Sequence, residues 1–262
     1  VKIAKRESGV VRGAAVILAR AGSKGVPGKN WASVGGRPCV AWTIDAGMAA
    51  RRSGALATVA VSTDDPRVAE IAHHMGAVVV QRPAGLAGDT ARVDDALRHA
   101  VTDLESRGMI AAGPRVPIVM LYANVPVRPA GLIDQAIGLL RSAESDSVQS
   151  FQPVGKNHPW WTCRVQGDGR VAAWDGGELF HGCFRRQDLP PAHIPDGAVT
   201  VVTRASLFGE VPGVVPGPHA FLGRDRRAVI NPEGSVVDID TMLDLRVADA
   251  MLHEAAEERR SA

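Results

Sequence analysis

Two short stretches, near opposite ends of the 262-residue chain, carry the residue types that handle phosphate. The first follows an apolar run, Ala14 to Ala19, which gives way at once to a loop holding Arg20, Lys24 and Lys29 among Gly22, Gly25 and Gly28. The chain has five lysines, and two of them fall within six positions here. Glycine admits backbone conformations closed to other residues and lets the chain approach a ligand closely. Cations and free backbone N–H groups together make a cradle for a polyphosphate. The second stretch is Asp238-Ile239-Asp240. In extended chain, residues two apart face the same way, so both carboxylates address one site while Ile239 packs behind. Hard oxygen ligands paired at that spacing suit Mg²⁺, which takes one or two carboxylates and shares substrate phosphates. The residues allow a second reading equally well, with Asp240 as the N-cap of a final helix. The two roles are compatible.

The loop is not a Walker A motif, since Ser23 stands where the first glycine is required and Asn30 where Ser or Thr is required. No Gly-x-Gly opens it, which excludes the dinucleotide fingerprint. A net charge of +2 argues against bulk nucleic-acid binding, and no apolar run approaches a membrane span. Residues 1–12 are mixed and charged, without a signal-peptide core, and read as a flexible lead-in. Cys39, Cys163 and Cys183 lie far apart with no Cys-x-x-Cys, which fits reduced thiols in a cytoplasmic protein.

The elements that must position these residues alternate. After the strand at 14–19 and its loop, Pro38 opens a helix running to about residue 52. A strand at 57–62 leads to Asp65, which caps a helix whose first turn holds Pro66. A strand at 77–80, a helix at 90–107, a strand at 117–122 and a helix at 130–141 follow. Further strands are expected at 198–203 and 227–230, and a closing helix from 241 to about 257. This pattern predicts an α/β fold with a doubly wound, mostly parallel sheet. The strand ends then gather ligand-binding groups in one crevice: the first loop, Ser62-Thr63-Asp64, Arg82, and Tyr122 to Arg128. Residues 150–195 are turn-rich and hold three of the five tryptophans. They read as an arm inserted in a single domain spanning 13–262, covering the crevice and packing on a second subunit.

Ala19-Arg20-Ala21-Gly22-Ser23-Lys24-Gly25-Val26-Pro27-Gly28-Lys29-Asn30 resembles the signature loop of the acylneuraminate cytidylyltransferases. Arg82-Pro83-Ala84-Gly85-Leu86-Ala87-Gly88-Asp89-Thr90 is similar to the family segment that surrounds the cytosine, and Val237-Asp238-Ile239-Asp240-Thr241 to its metal-binding segment. The likeness extends from about Ala14 to Leu252. It implies a Rossmann-like nucleotidyltransferase, dimeric through its arm, that transfers CMP from CTP to an acidic sugar. Arg20, Lys24 and Lys29 would then balance the triphosphate, and Asp238 and Asp240 would hold Mg²⁺. Ala19, Gly22, Ser23, Asn30, Arg82, Asp89 and Thr90 would hold the nucleotide, with Asp89 also open to a helix-cap role. Tyr122, Asn124, Arg128, Arg186 and Asp196 fall where the family binds its acceptor. Only part of that half follows the pattern. Tyr122 replaces a glutamine, and Ile194-Pro195-Asp196-Gly197-Ala198 lacks the family's arginine and converts its asparagine. A different 2-keto sugar acid or another anionic acceptor is therefore an alternative, as is a nucleotide-binding protein without turnover.

Overall fold

A computed structural model describes residues 11–261; the lead-in expected at 1–12 falls outside it except for its last two residues. Apolar, β-branched runs form the strands of the main sheet. β1 (Gly13–Ala19) is buried at every position, as the central strand of a two-faced sheet must be. A small ribbon, β2 (Ser33–Val34) with β3 (Arg37–Pro38), leads into α1 (Cys39–Arg52). Then come β4 (Leu56–Thr63), α2 (Pro66–His74), β5 (Val78–Gln81), α3 (Val93–Ser106), β6 (Pro117–Tyr122), α4 (Leu132–Ser142) and β7 (Ser147–Pro153). Asp65 caps α2 as expected, its carboxylate accepting the Arg67 N–H at 2.9 Å with Pro66 in the first turn.

β7 is the element the sequence did not reveal. The arm expected over 150–195 begins later, since Ser150 to Pro153 complete this strand, whose polar residues hide it. The excursion that follows holds a small hairpin, β8 (Cys163–Val165) with β9 (Val171–Ala173), flanked by short 3-10 turns. β10 (His193–Thr203) returns to the sheet, α5 (Arg204–Leu207) and β11 (Arg226–Ile230) follow, and α6 (Met242–Ser261) closes the chain.

The seven-stranded sheet has the order β11-β7-β10-β6-β1-β4-β5, and β10 alone runs antiparallel to its neighbours. Helices α1, α2 and α4 cover one face, through Ile44, Val68 and Ile137, and α3 and α5 the other, through Leu97, Leu104 and Leu207. The sheet is doubly wound, as read. A third apolar cluster joins Val26 of the glycine-rich loop, Val34, Cys39, Ile239 and Leu252 of α6. It seats the far end of the chain on the loop near its start. Among the described residues no helix is long and apolar enough to cross a membrane.

Candidate active site

β1 lies between β4 and β6, and the chain winds away from it on both sides. That reversal leaves a crevice at the carboxyl ends of the strands, and the loop from Arg20 to Asn30 fills its rim. The loop is braced from below: Asp64 accepts the Ala21 N–H at 2.8 Å, and Thr63 Oγ1 donates to the Ala19 carbonyl at 2.6 Å. The buried Asn30 side chain donates to the Arg20 carbonyl at 2.9 Å, so Asn30 ties the loop to itself. Gly25 presses on the C-terminal segment so closely that a Cβ would stand 2.2 Å from the Asp240 carbonyl oxygen. Gly28 holds φ +71°, a left-handed turn that side chains resist.

Loop and aspartate pair are in contact. Lys29 Nζ donates to the Ile239 carbonyl at 2.6 Å and to Asp240 Oδ1 at 2.8 Å, with its side chain 14% exposed. Asn124 Nδ2 donates to Asp238 Oδ1, and the Asn124 carbonyl accepts the Ile239 N–H at 2.9 Å. Ile239 is fully buried between the two acids, as its alternation required. The helix after them is capped by Thr241, not Asp240: Thr241 Oγ1 accepts the Asp244 N–H at 3.2 Å, and Asp244 Oδ2 accepts the Thr241 N–H at 2.7 Å. Asp240 is thereby left to Lys29 and the cavity. Burial, and then the neighbouring Asp240 charge, push the Asp238 carboxyl up to about 6.

The crevice encloses about 460 Å³. Arg20, Ser23, Lys24 and Lys29 line one side, Arg82 and Asp89 another, Tyr122, Asn124 and Asp240 the rest. Arg82 is buried, with Nη2 donating to the Ser62 carbonyl at 2.8 Å and Nε to Ser62 Oγ at 3.1 Å, and burial draws its pKa down. Asp89 is bound by Lys24 Nζ and by Arg20 Nη1 at 2.9 Å, and these cations hold its carboxyl below the usual carboxylate range. It caps no helix. α3 begins at Val93, three residues later than Thr90, because residues 84–92 are spent on a 3-10 turn and a loop that deliver Asp89 to the cavity. Thr90 and Gly22 are exposed and Ala19 is buried at the end of β1, and all three lie outside the lining.

Three acceptor candidates are not brought here. Arg186 pairs with Glu233 at 2.9 Å on the arm's surface. Asp196 is buried, its carboxylate taken up by Ser150 Oγ, the Ala198 N–H at 3.0 Å and Asn231 Nδ2 at 2.6 Å. Arg128 donates to the Val125 carbonyl at 2.6 Å and Thr43 Oγ1 at 3.2 Å, and burial lowers its pKa to about 10. One lining cation escaped the sequence reading. Arg92 joins the cavity while chelating the buried Asp94 through Nε and Nη2 at 2.9 and 2.8 Å. Placed inside a helix by its spacing, it stands instead at the helix mouth; the Arg-x-Asp pairing was the available signal.

Half-buried Asp238 and exposed Asp240 offer hard oxygens, and Lys29 is the cation set against them. That donor set fits a hard divalent ion sharing its remaining positions with phosphate and water. Among the described residues no group of three or more His, Cys, Asp or Glu could hold a metal by itself.

The chain matches known proteins along its whole fold. In solved structures it resembles a CMP-2-keto-3-deoxy-manno-octonic acid synthetase complexed with CTP, at a TM-score of 0.64 and 17% identity over 93% of this chain and 99% of that one. Its sequence is 32% identical over 197 residues to the N-acylneuraminate cytidylyltransferase of Streptococcus agalactiae serotype V, covering 74% of this chain and 44% of that protein. The chain thus spans less than half the length of these streptococcal relatives. It is 27% identical to the CMP-N,N'-diacetyllegionaminic acid synthase of Legionella pneumophila, over 91% of this chain and 95% of that one. The sequence profile described as cytidylyltransferase matches residues 14–162, the part that builds β1, the glycine-rich loop, Arg82, Asp89 and Asn124, and the chain belongs to the cytidylyltransferase family.

Proposed function

We propose that this protein transfers CMP from CTP to a hydroxyl of an acidic sugar, a sialic-acid-like or other 2-keto sugar acid, releasing pyrophosphate. The observation that carries this reading is the Lys29 bridge to Ile239 and Asp240, which joins the cationic loop to the aspartate segment at a cavity lined by Asp240 and by Asn124, the partner of Asp238. The names of relatives that align over nearly their full length support it. The acceptor oxygen forms a bond to the α-phosphorus while the bond to the bridging oxygen of the β-phosphate breaks. Such a displacement asks for placement and charge neutralisation above all. Arg20, Lys24 and Lys29 neutralise the triphosphate and the charge growing on the leaving pyrophosphate. Arg82, fixed by Ser62, presents a rigid donor to base or phosphate. Asp238 and Asp240 would hold Mg²⁺, which when bound withdraws charge from phosphate oxygens and favours ionisation of the attacking hydroxyl. The protein works in the cytoplasm, as its spaced, free thiols suggest, and as a homodimer through the arm, where Val165, Trp174 and Phe184 stand exposed.

The test is pyrophosphate release from CTP with a panel of sugar acids, with and without Mg²⁺. Lys24→Ala and Asp238→Asn should each cut release by about a hundredfold while the far-UV circular dichroism is unchanged. Undiminished turnover in both variants refutes these roles.

A further inference from the structure

Trp31 directly follows the glycine-rich loop, and the crevice does not account for it. It lines no part of the cavity, belongs to none of the three buried apolar clusters, and is 37% exposed. Tryptophan offers one of the largest apolar surfaces a side chain can bury, and here it serves no core. Its ring lies against Gly28 instead. A Cβ on Gly28 would stand 2.4 Å from Trp31 Cζ2 and 2.7 Å from Cε2. The Gly28 carbonyl accepts the N–H groups of Trp31 and Ala32, both at 3.0 Å, so ring and backbone close on the same left-handed turn. Lys29 is the next residue. Its N–H donates to the Val26 carbonyl at 3.2 Å, and its Nζ reaches Ile239 and Asp240. The direction in which Lys29 leaves the backbone is set by the turn that the indole covers. The indole is itself held. The Arg67 guanidinium lies over it, 4.5 Å from the ring centroid and within cation–π range, and makes no hydrogen bond or ion pair among the described residues. Arg67 stands in the first turn of α2, where Asp65 accepts its N–H. Asp64, on the same corner, takes the Ala21 N–H at the start of the loop. The corner between β4 and α2 thus grips the loop at both ends, through Asp64 at one and through Arg67 and Trp31 at the other.

We infer that Trp31 and Arg67 are positioning residues for the transfer reaction: the indole, seated on Gly28, fixes the aim of Lys29 at the aspartate segment, and Arg67 fixes the indole. The inference rests on the transferase reading above and adds to it two residues that lie outside the cavity. Its kinetic consequence is specific. Loosening this end of the loop disturbs Lys29, while Arg20 and Lys24 stay near the end that Asp64 holds and continue to meet the bound triphosphate. Charge growing on the leaving pyrophosphate then loses a well-placed cation, and a misplacement of about 1 Å is enough to slow such a step many-fold. An interaction made chiefly in the transition state appears in kcat more than in KM.

The experiment is a double-mutant cycle of Trp31→Ala and Lys29→Ala, read as steady-state pyrophosphate release with CTP, Mg²⁺ and a sugar acid that the parent chain turns over. Trp31→Ala is expected to lower kcat about tenfold or more with the CTP KM changed less, and to have little further effect once Lys29 is replaced. Trp31→Phe, which keeps a ring over Gly28, should recover most of the loss. Arg67→Gln alters an exposed side chain that the fold does not need; it should lower kcat about threefold and do nothing in the Trp31→Ala background. Additive losses in the cycle, an undiminished kcat in Trp31→Ala, or a Trp31→Phe variant as slow as Trp31→Ala overturns this inference and leaves nucleotidyl transfer standing. An undiminished kcat in Arg67→Gln does the same, and that variant decides the matter if circular dichroism shows that Trp31→Ala does not fold. No pyrophosphate release by the parent chain with any sugar acid, in protein that still binds CTP, overturns the transferase reading and the inference with it.

Discussion

Asp89 shows how much a single side chain decides here. It pairs with Arg20 and Lys24, the two loop cations proposed to meet a triphosphate. On the proposed reading, a phosphate competes with it for both cations. Asp89→Asn removes that competitor, so inorganic pyrophosphate should bind several-fold more tightly by calorimetry at low ionic strength. The gain should shrink as salt screens these exposed charges; equal affinity in both proteins would show that Asp89 does not compete. Asp238 carries the opposite kind of tension. Its folded pKa, about 6, lies above the ordinary 3.8 because burial and Asp240 disfavour the charge. The native state therefore holds the proton more firmly than the unfolded chain, so this group's contribution favours folding below about pH 4 and is lost as pH rises through 6. With chelator present, Asp238→Asn should be more stable than the parent at pH 7.5, by an amount on the order of 1 kcal/mol, and the advantage should vanish near pH 3.5. Urea titrations at the two pH values measure it, and the sign of the difference at pH 7.5 is the decisive observation.

At the scale of elements, the site depends on one close approach, the glycine-rich loop against the segment before α6. Gly25→Val should push Asp240 away, since even a Cβ meets its carbonyl oxygen at 2.2 Å. Weakened CTP binding in the presence of Mg²⁺, about tenfold or more for a shift of this size, is expected with little change in pyrophosphate affinity without metal, because Arg20 and Lys24 stay in place. Full Mg²⁺-dependent CTP affinity in the variant would mean that the contact is incidental. The loop and the aspartate pair were legible because their chemistry is local: glycines, cations and an alternating Asp-x-Asp announce themselves over a few residues. So were β1, β4 and β6, whose continuous apolar runs fit a sheet covered on both faces. β7 was not, since Ser147, Gln149 and Gln152 break its apolar pattern and its partner strands come from residues 193–203 and 226–230. Arg92 and Asp196 were misplaced for a related reason. What each does depends on where a helix starts or a ladder bulges, and such boundaries answer to tertiary packing more than to the residues themselves.

For the whole molecule, the sheet and its helices account for the candidate site, while the excursion between β7 and β10 carries large apolar side chains that stand exposed. Phe184 is 85% exposed, Val165 71% and Trp174 55%. Large apolar side chains exposed within one excursion are costly in water. The hairpin β8–β9 is too short to stand as an independent unit, so its order draws on something beyond its own two strands. Within the chain that support comes from Trp160, stacked on His181 with ring centroids 4.8 Å apart, and from Trp161 Nε1, which donates to the Cys183 carbonyl at 2.8 Å. Neither contact covers Phe184 or Val165. A second copy of the chain, meeting the first through the same projection, would cover both at once and close on itself by two-fold symmetry. Light scattering should therefore report a dimer for the parent chain, and Phe184→Asp combined with Val165→Asp should give a monomer with unchanged far-UV circular dichroism. CTP affinity should survive in that monomer, because every residue lining the proposed nucleotide cavity comes from outside the excursion. A parent chain that is monomeric at all concentrations, or a double variant that remains dimeric, would remove the arm from the assembly and leave its exposed side chains without an explanation.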